Sequence, residues 1–160
     1  MRKWLLFFFF FMPCVAVEQN PRFLEQNNLT VVDVMTLDPS FSTFITALNV
    51  ANLTYVLENN EDFTVFAPNN DAFDALPSWK EFLRPENISQ LQALLKYHVI
   101  PKKLSSNGFR DEEIKTLNGK EVCIKTVDKK ITVNEAQISL PGKRAINGVV
   151  YGINKVLLPN

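Results

Sequence analysis

The side chains that could do chemistry in this chain are few. His98 is the only histidine among 160 residues, and Cys14 and Cys123 are the only cysteines. Nucleophilic catalysis needs a base beside the nucleophile. His98 comes one turn after Leu94 and Leu95 at the end of an apolar helix face, and it reads as a satisfied structural histidine rather than as that base. A zinc site needs several nitrogen or sulfur ligands, more than one histidine and one cysteine supply. The run Asp111-Glu112-Glu113 lacks the spaced oxygen ligands of a calcium loop and reads as the opening of a solvated helix. Five glycines, all in the second half of the chain, form no phosphate-cradling loop. These residues predict a protein that is not an enzyme and that holds no cofactor and no metal.

The elements that position these groups begin after an expected leader. Residues 1–16 read as a signal peptide: Arg2-Lys3, an uncharged run from Trp4 to Met12, then small residues suited to cleavage after Ala16. The apolar run is short for a bilayer span, and an uncleaved anchor is the less favoured alternative. Residues 17–28 read as a polar lead-in. Removal of Arg2 and Lys3 from the 17 basic residues leaves 15, against 17 acidic. That balance does not call for nucleic acid. Residues 17–95 hold 3 basic and 11 acidic groups, and residues 96–160 hold 12 and 6, which reads as two solvated faces of one domain. With Cys14 in the leader, Cys123 is left alone, so no disulfide framework forms and the core alone must hold the fold. Cys123 lies in the alternating run Glu121 to Lys125 and is expected to be a small buried apolar residue.

Phe63-Thr64-Val65-Phe66-Ala67-Pro68 is apolar on both faces, as a strand between two layers would be, and Pro68 ends it. Asn69-Asn70 supplies capping oxygens, Asp71 faces the positive end of the helix dipole, and Ala72, Phe73 and Leu76 turn inward. Upstream, Asp38-Pro39 is a helix start, and Phe41, Phe44, Ile45 and Leu48 at i, i+3, i+4 and i+7 form one apolar stripe. Trp79, Phe82 and Leu83 mark a short helical piece, and Ile88, Leu91, Leu94 and Leu95 an amphipathic helix. From Lys115 the period becomes two, with Asn118-Gly119 and Asp128-Lys129-Lys130 as turns. Helices first and strands later predict an α+β domain.

Three segments carry a family resemblance: Phe63 to Phe73 as quoted, Leu94-Leu95-Lys96-Tyr97-His98-Val99-Ile100-Pro101, and the closing Ile146-Asn147-Gly148-Val149-Val150-Tyr151-Gly152-Ile153-Asn154. In their order and spacing they resemble the fasciclin-like (fasciclin I) domain family over residues 29–159. The resemblance implies N-terminal helices packed on a compact antiparallel β-sandwich or wedge. Tyr151 stands where the family commonly has histidine and Asn154 where it commonly has aspartate; both can still hydrogen-bond. The Asp-Ile pair of some adhesive members is missing, with Lys143-Arg144 nearby, and there is no Arg-Gly-Asp.

The resemblance implies a secreted cell-adhesion or matrix-binding module, extracellular, or periplasmic or cell-surface in a bacterium. Its partners would be extracellular or cell-surface proteins of integrin or matrix type. Tyr97 and His98, flanked by Leu95, Val99 and Ile100, are the contact candidates that the resemblance implies, although their apolar setting suits a core. A second reading, from the aromatic-rich N-terminal half, is a secreted carrier of an apolar small molecule. Asn28, Asn52 and Asn87 each open an Asn-X-Ser/Thr sequon, and each also falls near an element boundary where it could cap a helix.

Overall fold

The computed structural model describes residues 28–59 and 61–160; the leader expected over 1–16 and all but the last residue of the 17–28 lead-in lie outside them. Helix α1 (Val31–Thr36) opens on a capping box, in which Thr30 Oγ1 accepts from Asp33 N and the Asp33 carboxylate accepts from Thr30 N. Asp38 then caps a 3₁₀ turn (Pro39–Phe41) by accepting from Ser40 N at 3.1 Å. Helix α2 (Ser42–Val50) buries Phe44, Ala47 and Leu48, with Phe41 buried just before it. Asn52, at φ 55°, turns the chain into α3 (Thr54–Glu58).

Strand β1 (Phe63–Pro68) is buried at every position, as its sequence predicts. Asn69 caps α4 (Asn70–Asp74) through Ala72 N at 2.8 Å. Two 3₁₀ turns (Trp79–Leu83 and Pro85–Asn87) bring Trp79, Phe82 and Leu83 against the core and lead into α5 (Ile88–Lys96). The remaining strands are β2 (Val99–Ile100), β3 (Glu112–Lys115), β4 (Glu121–Val127), β5 (Lys130–Val133), β6 (Ala136–Ala145) and β7 (Gly148–Ile153). The β4–β5 hairpin turns on Asp128 and Lys129, both at positive φ, with Val127 opposite Lys130. A two-residue loop of that kind matches the twist of the strands it joins.

The seven strands form one sheet in the order β2-β1-β7-β6-β5-β4-β3. All neighbours are antiparallel except β1 and β7, which run parallel from Phe63 opposite Gly148 to Pro68 opposite Ile153. The long connection between these two strands makes the parallel pairing possible. Alternation along the pair sorts its side chains into two cores. Phe63, Val65, Ala67 and Val150 join Val31, Met35, Phe44 and Leu48 under the helices. Phe66, Val149, Tyr151 and Ile153 join Val122, Ile124 and Val133 on the other side. The strand buried on both faces is therefore the wall between two interiors.

Two local expectations are corrected. Asp111-Glu112-Glu113 does not open a helix: Glu112 and Glu113 begin β3, because Ile114 pairs with Val122 and draws this segment into the ladder. Cys123 is only partly buried, since Val122 and Ile124 take the core face of β4 and put Cys123 on the opposite one.

Candidate functional site

The end of α5, the turn after it and β2 carry every inherited contact candidate. Leu95, Tyr97, His98, Val99 and Ile100 are all buried, and His98 is only 1% exposed. Helix α5 ends by presenting the Leu94 carbonyl to His98 Nδ1 at 2.8 Å, while His98 Nε2 accepts from Leu157 N at 2.9 Å. Only a neutral ring protonated at Nδ1 makes both bonds. Burial pushes the His98 imidazole down to about 4, against the opposing pull of the Leu94 carbonyl. This is the geometry of a histidine that fastens two pieces of backbone, with no nucleophile bonded to it.

Tyr97 turns the other way. Its hydroxyl donates to the Glu121 carbonyl at 2.9 Å and accepts from Asn134 Nδ2 at 3.0 Å. Asn134, at φ 52° in the β5–β6 turn, also accepts from Cys123 N through its side-chain oxygen at 2.8 Å. Tyr97 thus ties α5 to the hairpins.

The Tyr97 ring also lines the wall of an open groove of about 1030 Å³. The floor is the outward face of β3 and β4, where Glu113 lies opposite Cys123 and Lys115 opposite Glu121, continued by Asn134 and Glu135 of the β5–β6 turn. One wall is the segment 155–160, held by the Leu157 bond to His98 and by Lys120 Nζ donating to the Asn160 carbonyl oxygen. Lys115, Lys120, Lys125 and Lys155 line the groove together with Glu113, Glu121 and Glu135. None of these carboxylates is paired with an amine; among the described residues the ion pair is Lys143–Asp38, on another face. The groove is a mixed-charge surface suited to polar contacts. Among the described residues, no three His, Cys, Asp or Glu side chains gather as metal ligands would.

By contrast, an apolar hollow lined by Leu48, Leu53, Val56, Leu57 and Leu95 has a volume of about 10 Å³. That is about the space of one water, far below the several hundred Å³ of a small-molecule site.

The residues of the two outer signature segments are placed as fasteners. Asn147 is buried, accepts from Val31 N at 2.8 Å, and donates to the carbonyls of Leu57 at 2.6 Å and Asn59 at 3.1 Å. It therefore ties α1 and the end of α3 to the sheet. A Cβ on Gly148 would lie 2.0 Å from the Phe63 carbonyl oxygen, so only glycine lets β7 start against β1. Tyr151, in the family's histidine position, donates to the Leu104 carbonyl at 2.9 Å; burial raises its phenol above the usual value. Asn154 accepts from Gln137 N at 2.8 Å. Both replacements keep a hydrogen-bonding role.

Asn28 and Asn52 are exposed. Asn87 donates its side-chain amide to the Glu81 carbonyl at 2.8 Å, bracing the turn that leads into α5. Sequence reasoning missed the groove and Asn134. The available signal was the outward half of the alternation in β4, Glu121, Cys123 and Lys125, which only acquires meaning once β3 and β5 flank it.

Comparison with known proteins agrees with the fold. The fasciclin domain model matches residues 39–159. Protein sll1483 of Synechocystis sp. is 38% identical over 133 residues, covering 82% of this chain and 74% of that protein. Transforming growth factor-beta-induced protein ig-h3 of Sus scrofa is 37% identical over 81% of this chain, which spans 19% of that protein's length. Among solved structures, the fasciclin domain pair of the insect cell adhesion molecule fasciclin I matches with a TM-score of 0.64 at 16% identity, covering 83% of this chain and 52% of that one.

Proposed function

Because the chain belongs to the fasciclin domain family, we propose that it is a non-enzymatic adhesion module, secreted, whose partner is an extracellular matrix or cell-surface protein. Among the described residues no helix is long and apolar enough to cross a membrane. An adhesion role is named for the insect molecule that shares the fold. One observation carries the assignment of the contact face. Of the five inherited candidates, Tyr97 alone lines the groove, so a partner that reads this segment must enter between β3, β4 and the 155–160 wall. Leu95, His98, Val99 and Ile100 act from behind it, as the packing that keeps Tyr97 and the wall in place. Unpaired amines and carboxylates in the groove give a protein partner both signs of charge to match, which favours specificity over raw affinity.

The test is attachment of cells, or of immobilised matrix, to the purified protein and to a Lys115→Glu, Lys125→Glu, Lys155→Glu form. Reversal of three exposed charges leaves the fold intact and is expected to reduce attachment at least tenfold. Equal attachment by the two proteins removes the groove as the contact face. Absence of attachment by either protein to a range of cells and matrix components removes the adhesion reading.

A further inference from the structure

We propose that His98 is an acid-operated latch on segment 155–160: protonation of its ring releases this segment and opens one side of the groove. The inference builds on the groove as the contact face. Its test reads the segment directly, so it fails or stands apart from any binding result.

The geometry requires the coupling. The Leu157 amide is held to the rest of the domain by Nε2 of His98, which must carry a lone pair to accept that bond. A proton on Nε2 turns the acceptor into a donor and sets two N–H groups against each other. The other ring nitrogen cannot relieve this, because Nδ1 is already committed to the Leu94 carbonyl. No compensating charge stands nearby. Against the ring lie the Phe44 ring from α2, at 5.8 Å between centroids, the Leu94 carbonyl from α5 and the Leu157 amide from the closing segment. The charged side chains nearest along the chain to His98 and to Leu157, Lys96 and Lys155, are both basic and offer a proton no stabilisation. An imidazolium can therefore form only if water reaches the ring, and the segment that covers Nε2 is the piece that can move. Beyond residue 153 the chain belongs to no strand, and the segment is kept in place by Leu157, Val156 and the Lys120 contact to Asn160.

The magnitude follows from linkage. In the open form the imidazole has its ordinary value near 6.5, and in the closed form burial holds it at about 4. Between those values each unit of acidification raises the ratio of open to closed about tenfold, and about 300-fold over the whole interval. The three groove carboxylates, Glu113, Glu121 and Glu135, make no contact with the ring. A His98→Gln variant retains all of these and removes only the titrating ring.

The experiment is amide exchange on the full chain followed by NMR from pH 6.5 to pH 4, each rate normalised to the intrinsic rate at that pH. Protection of Leu157 is expected to fall about tenfold per pH unit in the natural protein, with amides of β1 and β7 unchanged, and to be independent of pH in His98→Gln. Protection that is flat with pH in the natural protein, or that falls equally in His98→Gln, overturns the latch. Loss of protection in β1 and β7 together with Leu157 overturns it as well, since acid would then open the whole domain. Should the variant not fold, the nitrogen shifts of the single imidazole decide. They must report the Nδ1–H neutral form at pH 6.5 and protonate in step with the loss of Leu157 protection; a charged ring at pH 6.5 overturns the proposal.

Discussion

On the helix side of the β1–β7 wall the core is almost entirely hydrocarbon: Val31, Met35, Phe41, Phe44, Leu48 and Leu57 fill it, with Asn147 at its rim and the His98 ring against Phe44 as polar groups. On the hairpin side the large residues carry polar tips. Tyr151 donates to the Leu104 carbonyl, Tyr97 to that of Glu121, and Thr64 donates to the Lys102 carbonyl while accepting from Leu104 N. The difference follows from the backbone that each core covers. Helices satisfy their own N–H and C=O groups, so their partners need supply only apolar surface. The 101–111 and 154–160 segments run without a ladder over the hairpin core, and their inward carbonyls and amides need side-chain partners. Buried tyrosines provide area and a donor together. An irregular roof thus needs a core with hydrogen-bonding tips, whereas a helical roof does not.

That comparison can be broken at the wall itself. Gly148→Ala forces a Cβ onto the Phe63 carbonyl at a residue with φ 155°, and it should cost on the order of 4 kcal/mol, enough to abolish the cooperative unfolding transition in denaturant. A variant that unfolds normally would show that the wall tolerates separation of its two strands. Next in size, Phe44→Ala removes a fully buried ring that touches Phe73 and His98, and about 3 to 5 kcal/mol of unfolding free energy should go with it.

The hairpin side should respond through its polar tips. Tyr151→Phe keeps the ring packed against Phe66 and Phe109 but leaves the Leu104 carbonyl without its donor, so a loss of about 1 to 2 kcal/mol is expected, with faster exchange in the 101–111 segment. Unchanged stability would mean that the irregular roof does not depend on those tips. The smallest effect belongs to the ion pair between Asp38 and Lys143. The Lys143 ammonium, then Ser40, hold the Asp38 carboxyl down at about 2. A carboxyl lowered in the folded state adds stability that is complete above its unfolded value near 4 and is lost as the pH falls through 4 toward 2. Because Lys143 is half exposed, the contribution should stay below about 1 kcal/mol and shrink with added salt. Asp38→Asn should flatten that part of the stability profile, measured by urea unfolding between pH 5 and pH 2.

The sequence made legible whatever depends on near neighbours along the chain. The cap at Asn69, the Asp38 turn before Pro39, the Phe41-Phe44-Leu48 stripe and the strand apolar on both faces stand where periodicity and capping chemistry place them. Their causes lie within a few residues of each other, so local physics decides them. The three family segments likewise specified the fold.

Tertiary structure decided everything that rests on pairing across distance. The parallel register of β1 on β7 joins residues about 85 apart, and no local pattern distinguishes it from an antiparallel neighbour. Glu112 and Glu113 became a strand because β4 was there to pair with them, and Cys123 faces the groove because its neighbours took the core. His98 is a fastener because Leu157, 59 residues later, brings its amide to Nε2. A side chain carries its donors and acceptors in its type, but which face it shows, and to which backbone group, is fixed only when the two cores close against each other across β1 and β7.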